Sequence, residues 1–586
     1  MRQWMVAAKK ADFYVIAEKF HVDPVVARII RNREVIGEEN IRIYLGGNLS
    51  DLSDPHQMKD MDRLVDILGQ KIRRQEHIRI IGDYDVDGVT SSHLFLTALR
   101  RVGAKVDVVI PHRIQDGYGL SLHLLQQAKE DGVDTILTCD NGIAAIDEIA
   151  WAKAQKMTVL VTDHHAVPFE EHEGRRTEKK SLADAVVNPH QQDCGYPYKE
   201  LCGAGVAWNV IRVLYENYDM DKREAEDLLD FVAMATVCDV MSLTGENRIL
   251  VKEGLKRIRH TKNIGLQALM QACNVQPENI SAYHFGYVLG PCVNATGRLD
   301  TARHALRLFE TGQETEAEEI ARDLVDLNQE RKELTLQGVE MAKKLCEEGG
   351  YENDPVLVLF LPDVHESIAG LIAGRIREMY NRPVFVLTRG EEGVKGSGRS
   401  TENYSMYENM CGCAELFTKF GGHPMAAGLS LPEENVEKFR RKINENCPLT
   451  VEEVCPDIHI DMAMPVGYAS TELVHQFALL EPFGKDNPSP LFADRNLSIS
   501  RMWLIGKNRN VLRMSVFSEY GQPVPVIFFG DVETLFAYFT EKFGQKEVEN
   551  ALHGRKNRIL FSMVYTAKID FYQGNENLQL EMKYYR

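Results

Sequence analysis

Between residues 77 and 187 the chain alternates short apolar runs with stretches of helical length, and this alternation constrains the fold more than any other feature. The runs at 77–81, 105–110, 135–138, 158–161 and 185–187 read as strands bounded by turn residues. Strands joined by helices pair in parallel, because each connection crosses one face of the sheet before the next strand begins. An α/β domain is therefore expected, with a parallel sheet covered on both faces.

Three of these strands end in the same chemistry. Asp83-Tyr84-Asp85-Val86-Asp87-Gly88 follows the first, Asp140-Asn141-Gly142 the third and Asp163-His164-His165 the fourth. The carboxyl ends of parallel strands share one edge, so the three endings converge on one crevice. Clustered carboxylates repel one another and resist burial, and a divalent cation is the compensating charge. Oxygen ligands with imidazole suit manganese, and zinc or iron after it, better than calcium. A calcium loop beginning at Asp83 fails at its twelfth position, where Leu94 stands in place of a bidentate Glu. Asp239, alone in an apolar stretch at 235–240, reads by itself more readily as a hydrogen-bonded structural acid than as a metal ligand.

A chain of 586 residues is too long for one core, and three or four domains are expected. The net charge of -18 argues against broad adhesion to nucleic acid but leaves room for a local groove. Eleven cysteines without ribbon or disulfide spacing fit a reducing compartment, and no apolar run is long enough to cross a bilayer. A cytoplasmic location without a membrane partner is expected.

Residues 1–60 read as a lead-in. The stretch from Glu314 to Glu348 has no Pro and a single glycine, Gly338, the composition of one long connecting helix. Strands at 356–361 and 383–387 flank a helix at 368–380 and indicate a smaller α/β domain. Two glycine motifs follow, Gly396-Ser397-Gly398-Arg399-Ser400 and Gly421-Gly422-His423-Pro424. Glycine lets backbone amides approach a phosphate and Arg399 offers it a charge-assisted contact, although a plain turn is an equal reading of either motif. Short runs at 511–517, 524–529 and 559–565 indicate a small antiparallel barrel. Trp503, Lys507, Arg509, Arg513 and Tyr565 are its candidates for stacking and charge contacts with a single strand, against the commoner role of strand aromatics in the core.

Taken in order, Asp85-Val86-Asp87, Asp140, Asp163-His164-His165 and Asp239 resemble the four motifs of the DHH phosphoesterase superfamily. Leu201-Cys202-Gly203-Ala204-Gly205 and Pro291-Cys292-Val293-Asn294-Ala295-Thr296-Gly297-Arg298 resemble segments of the RecJ family of single-strand-specific exonucleases. The glycine motifs are similar to those of the accompanying DHHA1 domain, and Glu481-Pro482-Phe483-Gly484 to the lead into that family's OB-fold. The resemblance implies a DHH domain at 61–312, a connector at 313–350, a DHHA1 domain at 351–450 and an OB-fold at 451–586. It further implies a 5′-to-3′ exonuclease that hydrolyses single-stranded DNA to mononucleotides in repair and recombination. Its cofactors would be two divalent ions, manganese with magnesium as the alternative. Single-strand-binding protein and a helicase are its implied partners.

The same resemblance assigns Asp85, Asp87, Asp140, His164 and Asp239 as ligands, with Asp140 the bridge. Asp83 is counted with them, its role open between ligand and outer acceptor, because Ile81 stands where related phosphatases carry a histidine. Asp163 would orient an imidazole, while His165 and Arg298 would meet the scissile phosphate. Arg113, Ser397, Arg399, Gly421, Gly422 and His423 would hold the 5′-phosphate and the strand. The rivals are a small-substrate DHH hydrolase and a catalytically silent scaffold.

Overall fold

The computed structural model describes every residue except 1, 2, 114, 115, 118, 173, 174, 352, 391, 392, 456, 507, 508 and 573. Lys507 therefore lies outside the described residues. The chain divides into two compact units, one formed by Asn48–Pro456 and the other by Gln3–Gly47 together with Asp457–Arg586.

In the first unit all five strands expected between residues 77 and 187 form one parallel sheet. Across it the order is Val106–Val109, Ile78–Ile81, Thr135–Cys139, Thr158–Thr162 and Ala185–Val187. The first strand in sequence thus lies between the second and the third. That reversal opens a crevice at the carboxyl ends of Ile78–Ile81 and Thr135–Cys139. Both faces are buried: Ile78, Ile80, Leu137 and Leu160 enter one core, while Ile81, Ile136, Val159 and Val161 enter another. Consecutive strand residues point to opposite faces, which is why these strands are apolar at nearly every position.

One helix spans Glu314–Glu348 as its composition implies, burying Ala317, Ala321 and Leu324 at one end and Gly338 and Ala342 near the other. It leads into a mixed five-stranded sheet in the order Lys419–His423, Ala426–Leu431, Val394–Arg399, Val384–Arg389 and Leu357–Phe360, of which only the last pair is parallel. The glycines of both motifs lie in these strands, and only Pro424 and Met425 form the turn between two of them. Gly396 and Gly398 pair with Leu387 and Phe385, and an added Cβ would lie 2.4 Å from the Leu387 side chain and 2.3 Å from that of Met406. The glycines make room for the core beneath them.

In the second unit the strands Phe492–Ile505, Val511–Phe517, Pro523–Phe528, Asn575–Tyr585 and Leu560–Tyr572 close on themselves, the last pairing back with the first. The barrel is not wholly antiparallel. Pro523–Phe528 and Asn575–Tyr585 pair in parallel, because the helices Val532–Phe543 and Gln545–Leu552 and one further strand intervene between them. The amino-terminal segment belongs to this unit. Trp4–Val6 pairs with Ile458–Ile460, the Arg33 guanidinium holds both oxygens of Asp461 at 2.7 and 3.1 Å, and the Tyr44 hydroxyl donates to Asn487 at 2.8 Å. Among the described residues no helix is long and apolar enough to cross a membrane.

Candidate active site

Every carboxylate and imidazole expected at the crevice is there. The ligand-type atoms fall into three overlapping groups, each within 4.8 Å: Asp83 with Asp85 and Asp140, Asp87 with His164 and Asp239, and Asp140 with His164 and His165. His164 Nε2 is 3.1 Å from Asp140 Oδ1 and 3.6 Å from both Asp87 Oδ2 and Asp239 Oδ2. It is buried without a hydrogen bond, and so is Asp83 Oδ1. A buried orphan nitrogen among carboxylate oxygens fits a cation that accepts their lone pairs. The shared members, Asp140 and His164, place the groups side by side, an arrangement able to hold two such ions.

The electrostatics point the same way. Burial, then the neighbouring Asp85, pushes the Asp83 carboxyl well above its usual range. Burial followed by the charges of Asp87, Asp85, Asp83 and Asp239 does the same to Asp140, and burial with Asp87 raises Asp85. A group of acids so placed must take up protons or a cation.

The backbone around them is arranged to keep the acids in place. Asp85 caps the helix Val86–Arg101 by accepting the Gly88 amide at 3.1 Å. Asp87 receives the first two amides of the helix Gly203–Asn217, from Gly203 at 2.6 Å and Ala204 at 2.7 Å. This is the work of the Leu201–Gly205 segment, a helix N-terminus aimed at a carboxylate, where its partial positive charge belongs. Asp140 adopts a left-handed backbone (φ 61°), which Asp tolerates better than branched residues. In the Pro291–Arg298 segment, Asn294 Oδ1 accepts the Val86 amide at 3.2 Å, and a Cβ on Gly297 would lie 2.4 Å from the Tyr84 carbonyl oxygen.

Asp163 faces its own loop. Its Oδ1 accepts the amides of His164 at 2.7 Å and His165 at 3.0 Å and the His165 Nδ1–H at 2.8 Å, while Oδ2 accepts the Ile143 amide at 2.9 Å. Burial opposes the charge on both partners, yet the shared hydrogen bond holds Asp163 below the usual carboxylate range and lifts His165 to about 9.

Tyr84, between Asp83 and Asp85, also lines a cavity of about 570 Å³. Arg113, Arg298, Ser397, Arg399 and Gly421 line it as well, so residues about 300 positions apart in sequence meet there. The Arg113 guanidinium stacks 4.7 Å from the Tyr84 ring, Arg298 donates to the Ser367 carbonyl at 2.7 Å, and Arg399 donates to Ser397 Oγ at 3.2 Å and the Gly398 carbonyl at 2.7 Å. Burial, then the charges of Arg113, Arg331 and Arg399, lowers Arg298 to about 10, and burial with Arg113 and Arg377 lowers Arg399. Guanidinium groups crowded in this way favour an anion. Gly422 and His423 are not in this lining: they are exposed at the tip of the hairpin that joins Lys419–His423 to Ala426–Leu431. In the barrel, Tyr565 is fully buried and its hydroxyl donates to the Met464 carbonyl at 2.8 Å, so it is core. Trp503 is half-buried, opposite Arg513 across the strand pair and 5.7 Å from the Arg501 guanidinium.

Comparison with known proteins follows this division. Family models match residues 77–236 (DHH family, N-terminal domain), 353–447 (DHHA1 domain) and 460–584 (RecJ OB domain). The single-stranded-DNA-specific exonuclease RecJ of Haemophilus influenzae is 32% identical over 582 residues, covering 96% of each chain. That of Bacillus subtilis is 33% identical over 511 residues, 86% of this chain, which spans only 63% of its length. Among solved structures, RecJ from Thermus thermophilus in complex with Mn2+ matches the whole chain and 79% of its own at a TM-score of 0.81 and 25% identity.

Proposed function

Since this chain belongs to the RecJ family of DHH proteins, we propose that it is a metal-dependent exonuclease that degrades single-stranded DNA to mononucleotides from the 5′ end. The observation that supports an anchored strand end is Tyr84, which lies between Asp83 and Asp85 in sequence and lines the arginine cavity; the 5′ polarity is taken from the family. A phosphate held by Arg113, Ser397, Arg399 and Arg298 then lies one step from the carboxylates, so a strand anchored by its terminal phosphate offers the next phosphodiester for cleavage.

Asp83, Asp85, Asp87, Asp140, His164 and Asp239 would hold two divalent ions, Asp140 and His164 being common to more than one ligand group. Such a pair supplies an activated water and neutralises the phosphoryl oxygens in an in-line displacement. The chain's own part is positional and electrostatic. Asp163 fixes the His165 ring and keeps it protonated, so that His165 presents a positive N–H toward the phosphate being cut. The Gly203 and Ala204 amides hold the Asp87 carboxylate in its orientation. Arg298, assigned from sequence to the scissile phosphate, serves here in the cavity beside Arg113 and Arg399. Trp503 with Arg513 offers the barrel's stacking and charge contacts for a single strand. The protein would act in DNA repair and recombination in the cytoplasm, with a single-strand-binding protein and a helicase supplying and exposing its substrate.

The test is a long strand carrying one label at either end, incubated with manganese. Mononucleotides released from the 5′ label first, with duplex left intact, are expected. Release from the 3′ end, or cleavage of dinucleotides alone, would overturn the reading.

A further inference from the structure

The two helices that bear the acid cluster at one end share a second cavity at the other. Val86–Arg101 begins at Asp85 and Asp87, and its His93, Thr97, Arg100 and Arg101 line a cavity of about 820 Å³. Leu229–Cys238 runs the opposite way: Asp230 and Phe231 in its first turn line the same cavity, and its last residue is followed by Asp239. Along the helices His93 stands about 9 Å beyond Asp87 and Phe231 about 12 Å before Asp239, so the cavity is distinct from the crevice.

Its floor is aromatic and holds an unmet polar atom. The His93 ring lies 4.5 Å from Phe231 and 5.9 Å from Phe309, which are themselves 5.0 Å apart. His93 is 5% exposed, and its buried Nδ1 has no hydrogen-bond partner. Burial, then the charges of Arg101 and Arg100, lowers it to about 3, so the ring is neutral. A buried, unpartnered ring nitrogen costs free energy that a ligand with a complementary polar edge would recover. Asp230, bonded to the Thr261 hydroxyl at 2.6 Å, adds a second polar group to the wall.

The rim is charged, and cations outnumber acids in the lining. Arg100 sits 3.5 Å from Glu310, Lys256 2.6 Å from Glu253 and Lys262 3.1 Å from Asp227, with each cation more than half exposed. Exposed pairs of this kind are weak, and a phosphate dianion can displace them.

An apolar floor of rings packed tilted or edge to face, with one unmet ring nitrogen, beneath a rim of loosely held cations, is the recognition chemistry of a base joined to a phosphate. We propose that this cavity binds a nucleoside monophosphate and that its occupant changes the affinity of the acid cluster for divalent cations through the two shared helices. The base lies against His93, Phe231 and Phe309, and the phosphate among Arg100, Lys256 and Lys262. Coupling between two sites is reciprocal, so the cation must shift nucleotide affinity by the same factor.

The experiment uses the full chain carrying Arg113→Ala, Arg298→Ala and Arg399→Ala together, which removes the guanidinium groups of the other phosphate cavity, without metal. Titration with deoxyadenosine monophosphate, deoxyadenosine and inorganic phosphate should give one bound monophosphate per chain, with the two fragments each at least about tenfold weaker. Arg100→Glu with Lys256→Glu, both exposed, should weaken the monophosphate at least about tenfold, as should His93→Phe. In the chain without the rim changes, saturating monophosphate should shift Mn2+ affinity about fivefold or more. Absence of saturable binding, binding indifferent to the rim changes, or unchanged Mn2+ affinity would overturn the proposal. No readout depends on strand hydrolysis, so the outcome is separate from that of the exonuclease reading.

Discussion

Gly203 lies so close to Asp140 that a Cβ added to it would sit 2.6 Å from the Asp140 Cβ. The same residue donates its amide to Asp87 at 2.6 Å. One glycine thus fixes the separation of two acids that share His164. Gly203→Ala should displace both and lower strand cleavage by on the order of 100-fold, the usual cost of misplacing reacting groups by about 1 Å. Circular dichroism should be unchanged while initial rates on a labelled strand fall.

Asp140→Ala should abolish cleavage and leave much of the strand binding, since it removes the member common to two of the three groups. Band-shift titration beside the end-label assay separates the two effects. Loss of both together would place Asp140 in structure and not in chemistry.

Metal removal should change how stability depends on pH. Without cations, Asp83, Asp85 and Asp140 have folded pKa values raised above the unfolded ones. Raised carboxyl values favour the protonated folded state, so their stabilisation is complete below the unfolded pKa and is lost as pH rises through the folded values. Chelated protein should therefore melt lower at about pH 7.5 than at about pH 5.5, a difference that manganese should remove. Melting curves with and without chelator at the two pH values provide the check.

Arg399→Ala should reduce the preference for a 5′-phosphate over a 5′-hydroxyl end by about 10- to 100-fold, as expected for one hydrogen bond between charged groups. Competition between the two kinds of strand measures it. Equal use of both ends by the unmodified chain would remove the cavity from the mechanism.

The barrel offers a contrast between two aromatic residues. Trp503→Ala should weaken single-strand binding by about 1–3 kcal/mol with little change in melting. Tyr565→Phe should leave binding alone and cost about 1 kcal/mol of stability through the bond to Met464.

The acid-bearing strand ends are legible in the sequence because strand period and turn chemistry are local, and parallel pairing brings their ends together whatever lies between. Asp239 is legible only through family resemblance, since one acid after an apolar helix has no local signature. The role of Gly203 and Ala204 is hidden for a different reason: an amide donor is the same atom in every residue, and only the packing of two helices shows where it points. Glycine in Gly396-Ser397-Gly398 reads as a phosphate loop or a turn, yet it lies in a strand over large core side chains. Tyr565 and Trp503 look alike in an alternating run, and register alone assigns one inward. Where the amino-terminal helices belong is hidden because the elements they pack with lie more than 400 residues away.

That last pairing sets an order of events on the ribosome. Gln3–Gly47 is made before Asp457–Arg586 but belongs with it, so about 410 residues must be translated between them before the partner appears. At about 5–20 residues per second this is a wait of roughly 20 to 80 s. Throughout it Val26, Ile29, Ile30 and Tyr44, all buried in the finished unit, remain in water as a greasy surface that nascent-chain chaperones can grip.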